Sequence, residues 1–259
     1  MIDLTFSLAD LEYFLLILVR VTTFVYAAPF FGMVNVPNRV KVGIGVMFSV
    51  LVYYTLTPVA PEYQTVLGFT ILALKEAAVG VIIGFSASIF ISILSFAGHL
   101  VDMETGLSMV TLFDSMTRDS ITISGTYYQY VVLLMLLLSG MYQFVVGALV
   151  SSFSVIPVSG AVFHSDRLLA GMGIFLAEYI SIGFRISLPV FAVIMLLNAI
   201  LGILTKVSPQ LNMFAVGIQL KILAGLAVLF LTVAMLPGAS AMILSQMRRI
   251  VTVFIEAMT

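Results

Sequence analysis

Arg20, Lys75, Glu76, Glu178, Arg185 and Lys221 all stand inside stretches of sequence apolar enough and long enough to cross a bilayer. An ionised group in that setting can relay a proton, hold a transported ion, or pair with another helix or another polypeptide. Left against lipid it costs at least about 2.5 to 3.5 kcal/mol at the bilayer centre, so such side chains face a bundle interior, a wet cavity or a neighbouring protein. Six in one chain of 259 residues predict an obligate part of a larger assembly. Covalent and acid–base chemistry is poorly provided for. His99 and His164 are isolated, no HExxH or GxSxG pattern occurs, and there is no glycine-rich phosphate loop, so an enzyme is not expected.

Spacing groups these residues. Glu76, Gly80, Gly84, Ser88 and Ser92 recur every four positions, along one gently spiralling helix face whose small side chains permit close helix approach. Two readings fit: a packing stripe used within the chain, or a docking face on which Glu76 pairs across a subunit contact. Lys75 lies about 100° round the helix from Glu76, so the two are poorly placed to neutralise each other. Glu178, Ser181 and Arg185 share a face at spacings of three and four, which favours an intrahelical or water-bridged network over an ion site. Gly217, Lys221 and Gly225 repeat every four residues, flanking an ammonium with two gaps; its stem can snorkel to an interface or its head can donate to a neighbouring backbone.

The segment from His99 to Ser120 interleaves Asp102, Glu104, Asp114, Arg118 and Asp119 with Met103, Leu107, Met109, Val110, Leu112, Phe113 and Met116. It is too polar to span and too apolar to be well solvated. Such a segment either packs its own apolar side chains as a surface loop or tucks into a protein-lined space, where flexible Met and bulky Phe form a constriction that gates by dewetting.

The elements that must position these groups are helices. Apolar runs extend over Leu11 to Phe31, Val42 to Leu56, Val66 to Ala97, Ile121 to Val150, Leu168 to Leu204 and Leu211 to Leu236, against the roughly 20 residues a spanning helix needs. The second is short for a span; the third and fifth are long enough to be kinked, the fifth at Pro189. Breaks are predicted at Pro29 with Gly32 and Pro37, at Pro58 with Pro61, at Pro157 with Gly160, and at Ser208-Pro209. Asp3, Asp10 and Glu12 occupy the place where a secretory signal carries positive charge, so the first run is expected to be retained.

A hydrophobic fraction of 62%, 9% charged residues and a mean hydropathy of +1.22 place the chain in the membrane class. A net charge of -1 leaves no basic surface for nucleic acid. The absence of cysteine removes disulfides, thiolate metal sites and thiol nucleophiles. No cofactor or metal is expected. Lysine and arginine in the connections are too evenly divided to set orientation; the side bearing Arg39, Lys41 and Lys206 is taken as cytoplasmic.

In order and spacing the residues resemble the flagellar FliR family, whose relatives serve type III secretion. The likeness runs through Arg20, Pro29-Phe30-Phe31-Gly32, Pro37, Arg39 and Lys41. It continues with Glu76, Gly80, Gly84-Phe85, Ala97-Gly98, Asp102, Gly106-Leu107 and Asp114. Then come Asn198, Gly202, Pro209-Gln210, Asn212, Phe214, Gly217, Lys221 and Gly225. Ser115 and Gln219 stand where many members have proline, which bears on local backbone shape. The resemblance implies an all-α membrane-type protein of about six long, partly kinked helices, with a FliP-like part over about 1–160 and a FliQ-like hairpin over about 161–259. It implies a non-enzymatic subunit of the export gate in the bacterial inner membrane, at the flagellar basal body. There it forms with FliP and FliQ a closed channel for unfolded flagellar proteins and meets FlhB and FlhA. It maps a channel plug onto Met109, Val110, Leu112, Phe113 and Met116, and a cytoplasmic hairpin turn onto Pro209, Gln210 and Asn212. Arg20, Lys75, Glu76, Gly80, Gly84 and Lys221 are assigned to subunit contacts. A virulence injectisome homologue is the alternative within this class, and a small-solute transporter the alternative outside it.

Overall fold

The computed structural model describes residues 8–33, 35–57, 59, 61, 63, 65–109, 122–208 and 213–259. Its elements are α1 (Leu8–Ala27), α2 (Asn38–Thr55), α3 (Val66–Thr105), α4 (Ile123–Leu138), α5 (Met141–Val155), α6 (Ser165–Val207), α7 (Met213–Thr232), a 3₁₀ turn (Val233–Met235) and α8 (Leu236–Glu256). Among the described residues there is no strand. This is the all-α membrane-type architecture expected. Among the described residues three stretches are long and apolar enough to cross a membrane, Val66–Thr105, Ser165–Val207 and Val216–Glu256, and α4 and α5 pass the same test only together, as a broken span or a re-entrant pair.

Most boundaries fall at the predicted turn residues, for the expected reasons. Proline at 37 occupies the N-cap of α2 with φ -59° and ψ 141°, an extended approach to the first turn. Gly106, at φ 87°, follows the last residue of α3 in the left-handed conformation that ends helices, and its N–H donates to Asp102 O at 3.1 Å. Three expectations are corrected. The apolar run from Ile121 to Val150 is two helices, broken at Ser139-Gly140 where Gly140 has φ 78°, a turn-forming dipeptide masked by apolar neighbours. The third run continues as helix through Thr105, so His99, Asp102, Met103 and Glu104 lie on α3 and not in a connection. The last run does not stop at Leu236: after one 3₁₀ turn the chain continues as α8, whose mixed composition conceals an amphipathic helix.

The chain divides into two compact units. The first comprises 1–89, 140–175 and 246–259, and the second 90–139 and 176–245. In the first unit, α1 buries Leu16, Ile17, Arg20, Val21 and Phe24, the i, i+1, i+4, i+5, i+8 series of one helix face. Helix α2 lies against it through Tyr53, whose ring meets Phe14 edge-on at 5.9 Å, and through Gly45, where a Cβ would come within 2.8 Å of Thr22 Cγ2. Lys41 is buried at the start of α2. Its Nζ donates to Gly32 O at 3.0 Å and stands 5.5 Å from the centre of the Tyr26 ring. The tyrosine at 63 ties its connection to α1, donating its hydroxyl to Glu12 Oε1 at 2.5 Å; this bond holds the phenol above its ordinary pKa because ionisation would set two anions together. Elsewhere in the unit, Val162 and His164 donate their N–H groups to Met258 O and Ala257 O, each at 3.1 Å.

In the second unit, Gly98 of α3 and Gly125 of α4 cross with their backbones in contact, so that a Cβ on Gly98 would collide with Gly125 N and Cα. Phe96 fills the space left by Gly183 of α6 and lies 5.3 Å from the Tyr179 ring. Gly225 of α7 admits the Thr105 side chain, and a Cβ on Gly217 would lie 3.5 Å from Leu201 Cδ1, in ordinary contact. Pro189 sits inside α6 without ending it.

Candidate functional site

The most completely built polar site lies in the first unit. Arg20, from the middle of α1, and Glu76, from the first turns of α3, are both 0% exposed. The guanidinium grips the carboxylate with two bonds, Nε to Oε2 at 2.5 Å and Nη2 to Oε1 at 3.0 Å. Its other N–H groups turn to the end of α5. One nitrogen, Nη1, donates to Ile156 O at 2.9 Å and to Ser152 O at 3.4 Å, and Nη2 reaches Pro157 O at 3.5 Å. The Phe153 ring closes the remaining side, 4.3 Å from Cζ. Glu76 Oε1 also accepts the Ser159 N–H at 2.9 Å, and Ser159 holds φ 72°, a strained value that this half-buried bond helps to stabilise.

Each part follows from elementary electrostatics. The last carbonyls of a helix lack intrahelical donors and carry the negative end of its dipole, so a cation there satisfies bonds and field together. Arginine can do this while holding a carboxylate because its five N–H groups form a planar fork. The result is a neutral clamp that joins α1, α3 and the turn after α5. It has no open ligand position and no idle proton. Its chemistry is structural.

The small-residue stripe serves the same junction. A Cβ on Gly80 would collide with Arg20 O and Thr23 Oγ1, and one on Gly84 would come within 2.8 Å of Phe24 O. At Glu76, Gly80 and Gly84 the stripe packs within the chain, whereas Ser92 is exposed. Arg20, Glu76, Gly80 and Gly84, which the sequence reading assigns to subunit contacts, each meet α1, α3 or the turn after α5 within this chain, where desolvation of the charges is offset. Sequence reasoning found Arg20 and Glu76 but missed Ser152, Phe153, Ile156, Pro157 and Ser159. The Pro157 and Gly160 break marked a turn there, but nothing local signals that its carbonyls receive an arginine more than 130 positions away.

Lys75 and Lys221 are only partly covered, and among the described residues neither forms an ion pair. On the face that Arg185 shares with Glu178 and Ser181, Arg185 Nη1 stands 4.0 Å from Met242 Sδ of α8.

Of the residues expected to form a plug, Met109 is described and is exposed at the end of the segment that follows α3. Val110, Leu112, Phe113 and Met116 lie outside the described residues, as do Pro209, Gln210 and Asn212. The two described flanks of 110–121 are joined in the second unit. Asp102, 1% exposed, accepts the Ser124 N–H on both carboxylate oxygens at 3.2 and 3.3 Å, placing an anion at the N-terminus of α4. Sequence reading took Asp102 for a loop residue because the acidic interleaving concealed the end of α3.

Residues 11–247 match the family described as bacterial export proteins, family 1. Among similar proteins, the flagellar biosynthetic protein FliR of Bacillus subtilis (strain 168) is 29% identical over 211 residues, covering 81% of each chain. FliR of Aquifex aeolicus (strain VF5) is 29% identical over 84% of this chain and 83% of its own length. FliR of Escherichia coli (strain K12) is 26% identical over 82% of this chain and 80% of its own. Family match, relatives and membrane-length helices together establish that this chain belongs to the bacterial export proteins, family 1, as a multi-pass inner-membrane component of FliR type in the flagellar export apparatus.

Proposed function

We propose that the chain is a non-enzymatic core subunit of the flagellar type III export gate, assembling with FliP and FliQ into a closed channel through which unfolded flagellar proteins leave the cytoplasm. The observation that carries this reading is the uneven covering of its membrane-length helices. Within the chain, 56% of the most apolar window of Val66–Thr105 is buried, against 28% for Ser165–Val207 and 17% for Val216–Glu256. Phe230, Leu231 and Leu223 of α7 are 78%, 72% and 67% exposed, forming an apolar surface that companion helices can cover. On this reading the FliP-like part spans about 1–160 and the two least covered helices form the FliQ-like hairpin of about 161–259. Its turn, with Pro209, Gln210 and Asn212, lies near the region that FlhB contacts. Lys75 and Lys221 supply subunit contacts, since each carries a charge that the described chain leaves unpaired. The flagellar names of the relatives support the flagellum over an injectisome.

Co-expression with the FliP and FliQ of the same organism, followed by mass measurement of the intact complex, should recover this chain in a stable hetero-oligomer. Recovery of a solitary, monodisperse chain in the presence of both companions would overturn the assignment. Within that complex, Met109, Val110, Leu112, Phe113 and Met116 are assigned to the plug. Replacing Phe113 and Met116 by serine should raise ion conductance of the reconstituted complex severalfold or more without loss of assembly, since apolar constrictions exclude ions by dewetting. Unchanged conductance would remove the plug from this segment.

A further inference from the structure

In the second unit the later part of α6 and α7 pack as a hairpin, with Gly217 facing Leu201, and the hydrogen-bond ladders of both legs are interrupted. In α6, Pro189 has no N–H, so the Arg185 carbonyl four residues earlier loses its helical donor. In the other leg Pro237 cannot donate to Val233 O. That carbonyl accepts the Leu236 N–H instead, and the chain tightens into the 3₁₀ turn Val233–Met235 between α7 and α8. Hydroxyls compete for carbonyls beside both breaks: Ser187 donates to Phe184 O at 3.1 Å and Thr232 to Leu229 O at 3.0 Å. The two breaks stand at one level, because Pro189 lines the same cavity as Met235 and Leu236. A single break bends one helix; two at one level let both legs bend together.

Bending also needs room, which a close-packed interior does not give. Two voids supply it. One of about 340 Å³ has Pro189 on one side and Leu236, Gly238 and Met242 on the other, and a Cβ on Gly238 would meet nothing within 4 Å. The second, of about 280 Å³, lies between Leu226 and Phe230 of α7 and Leu107 with the first turns of α4. We propose that Pro189 and the Val233–Pro237 turn form one hinge, about which the arm made of 190–207 and 213–232 swings as a unit into these voids. With an arm about 30 Å long, a change of about 20° at the hinge displaces the tip by about 10 Å. The arm carries Leu223, Phe230 and Leu231, so the hinge sets where that exposed apolar surface is presented to companion subunits. This use of the hinge rests on the assembly proposed above; the hinge itself rests on the chain alone.

The test is a pair of distances measured by double electron–electron resonance on the full chain, which has no native cysteine to interfere. Lys206→Cys with Tyr130→Cys places spin labels on the exposed end of the arm and on the exposed face of α4. Lys206→Cys with Phe230→Cys places both labels on the arm. In the isolated chain the first distance should spread over about 10 Å while the second stays narrow. Pro189→Ala, which returns the missing N–H, should narrow the first spread about twofold. Gly238→Leu should do the same by filling the larger void, and the open space around Gly238 admits it without displacing backbone. A first spread no wider than the second, or one that neither variant narrows, would overturn the hinge. In the hetero-oligomer the first distance should settle to one narrow value; a spread that persists in the intact assembly would overturn the use of the hinge in presenting the arm and leave the assembly itself standing.

Discussion

Glu76→Ala should destabilise the isolated chain by about 3 to 5 kcal/mol, the cost typical of leaving one partner of a buried ion pair uncompensated. The reason is geometric. With the carboxylate gone, Arg20 keeps its bonds to Ser152 O, Ile156 O and Pro157 O but loses both charge-assisted bonds that neutralise it, in a site with no access to water. The Ser159 N–H loses its acceptor at the same time. Thermal loss of helical ellipticity in detergent and resistance to limited proteolysis should both fall sharply before any companion subunit is added. An unchanged midpoint for the isolated chain would return Glu76 to an intersubunit role. A second variant separates charge from capping. Arg20→Met combined with Glu76→Leu removes both charges and preserves apolar volume, a replacement often neutral for buried pairs. Here recovery should be incomplete by roughly 1 kcal/mol for each carbonyl left without its donor at the end of α5.

The second large effect is expected at Gly98. A methyl group there would overlap Gly125 N and Cα and come within 2.9 Å of Ser124 C, all backbone atoms of α4 that cannot rotate aside as a flexible side chain would. Gly98→Ala should therefore cost about 3 kcal/mol, at the upper end of ordinary overpacking, and separate α3 from α4. Because Asp102 lies one turn beyond Gly98 and accepts the Ser124 N–H, the same displacement should loosen the join between the flanks of 110–121. Hydrogen exchange of the Ser124 amide provides the readout: it should be slow in the parent, where Asp102 accepts this N–H, and faster when Gly98→Ala is added. Gly43→Ala is the matched control. Its Cβ would meet nothing within 4 Å, so it should be neutral or stabilise the chain by up to about 1 kcal/mol through helix propensity. Equal effects at the two positions would show that close helix contact is not what glycine provides at 98.

Particular residues show how far sequence alone reaches. Composition and run length suffice for a helical membrane protein, because a bilayer of given thickness imposes a minimum apolar length on any helix that spans it. Pro37 and Pro157 mark their breaks through local covalent constraints on the backbone. Ser139-Gly140 carried the same kind of signal but was overlooked inside a continuous apolar run, and α8 was missed because its apolar residues are spaced for one face and not continuous. The periodicity of Glu76, Gly80 and Gly84 established that they share a face, whereas the neighbour occupying that face was open to two readings. Order and spacing along the whole chain identified the family.

Tertiary structure alone decided where the charges go. Arg20 and Glu76 are 56 positions apart and the carbonyls they share the site with lie further still, so no local pattern contains their pairing. The sequence determined that these groups needed compensation, because the cost of a dry charge depends only on the group and its surroundings. The fold determined that the compensation comes from within the chain, because only packing of α1, α3 and the end of α5 brings five donors and their acceptors within hydrogen-bonding distance.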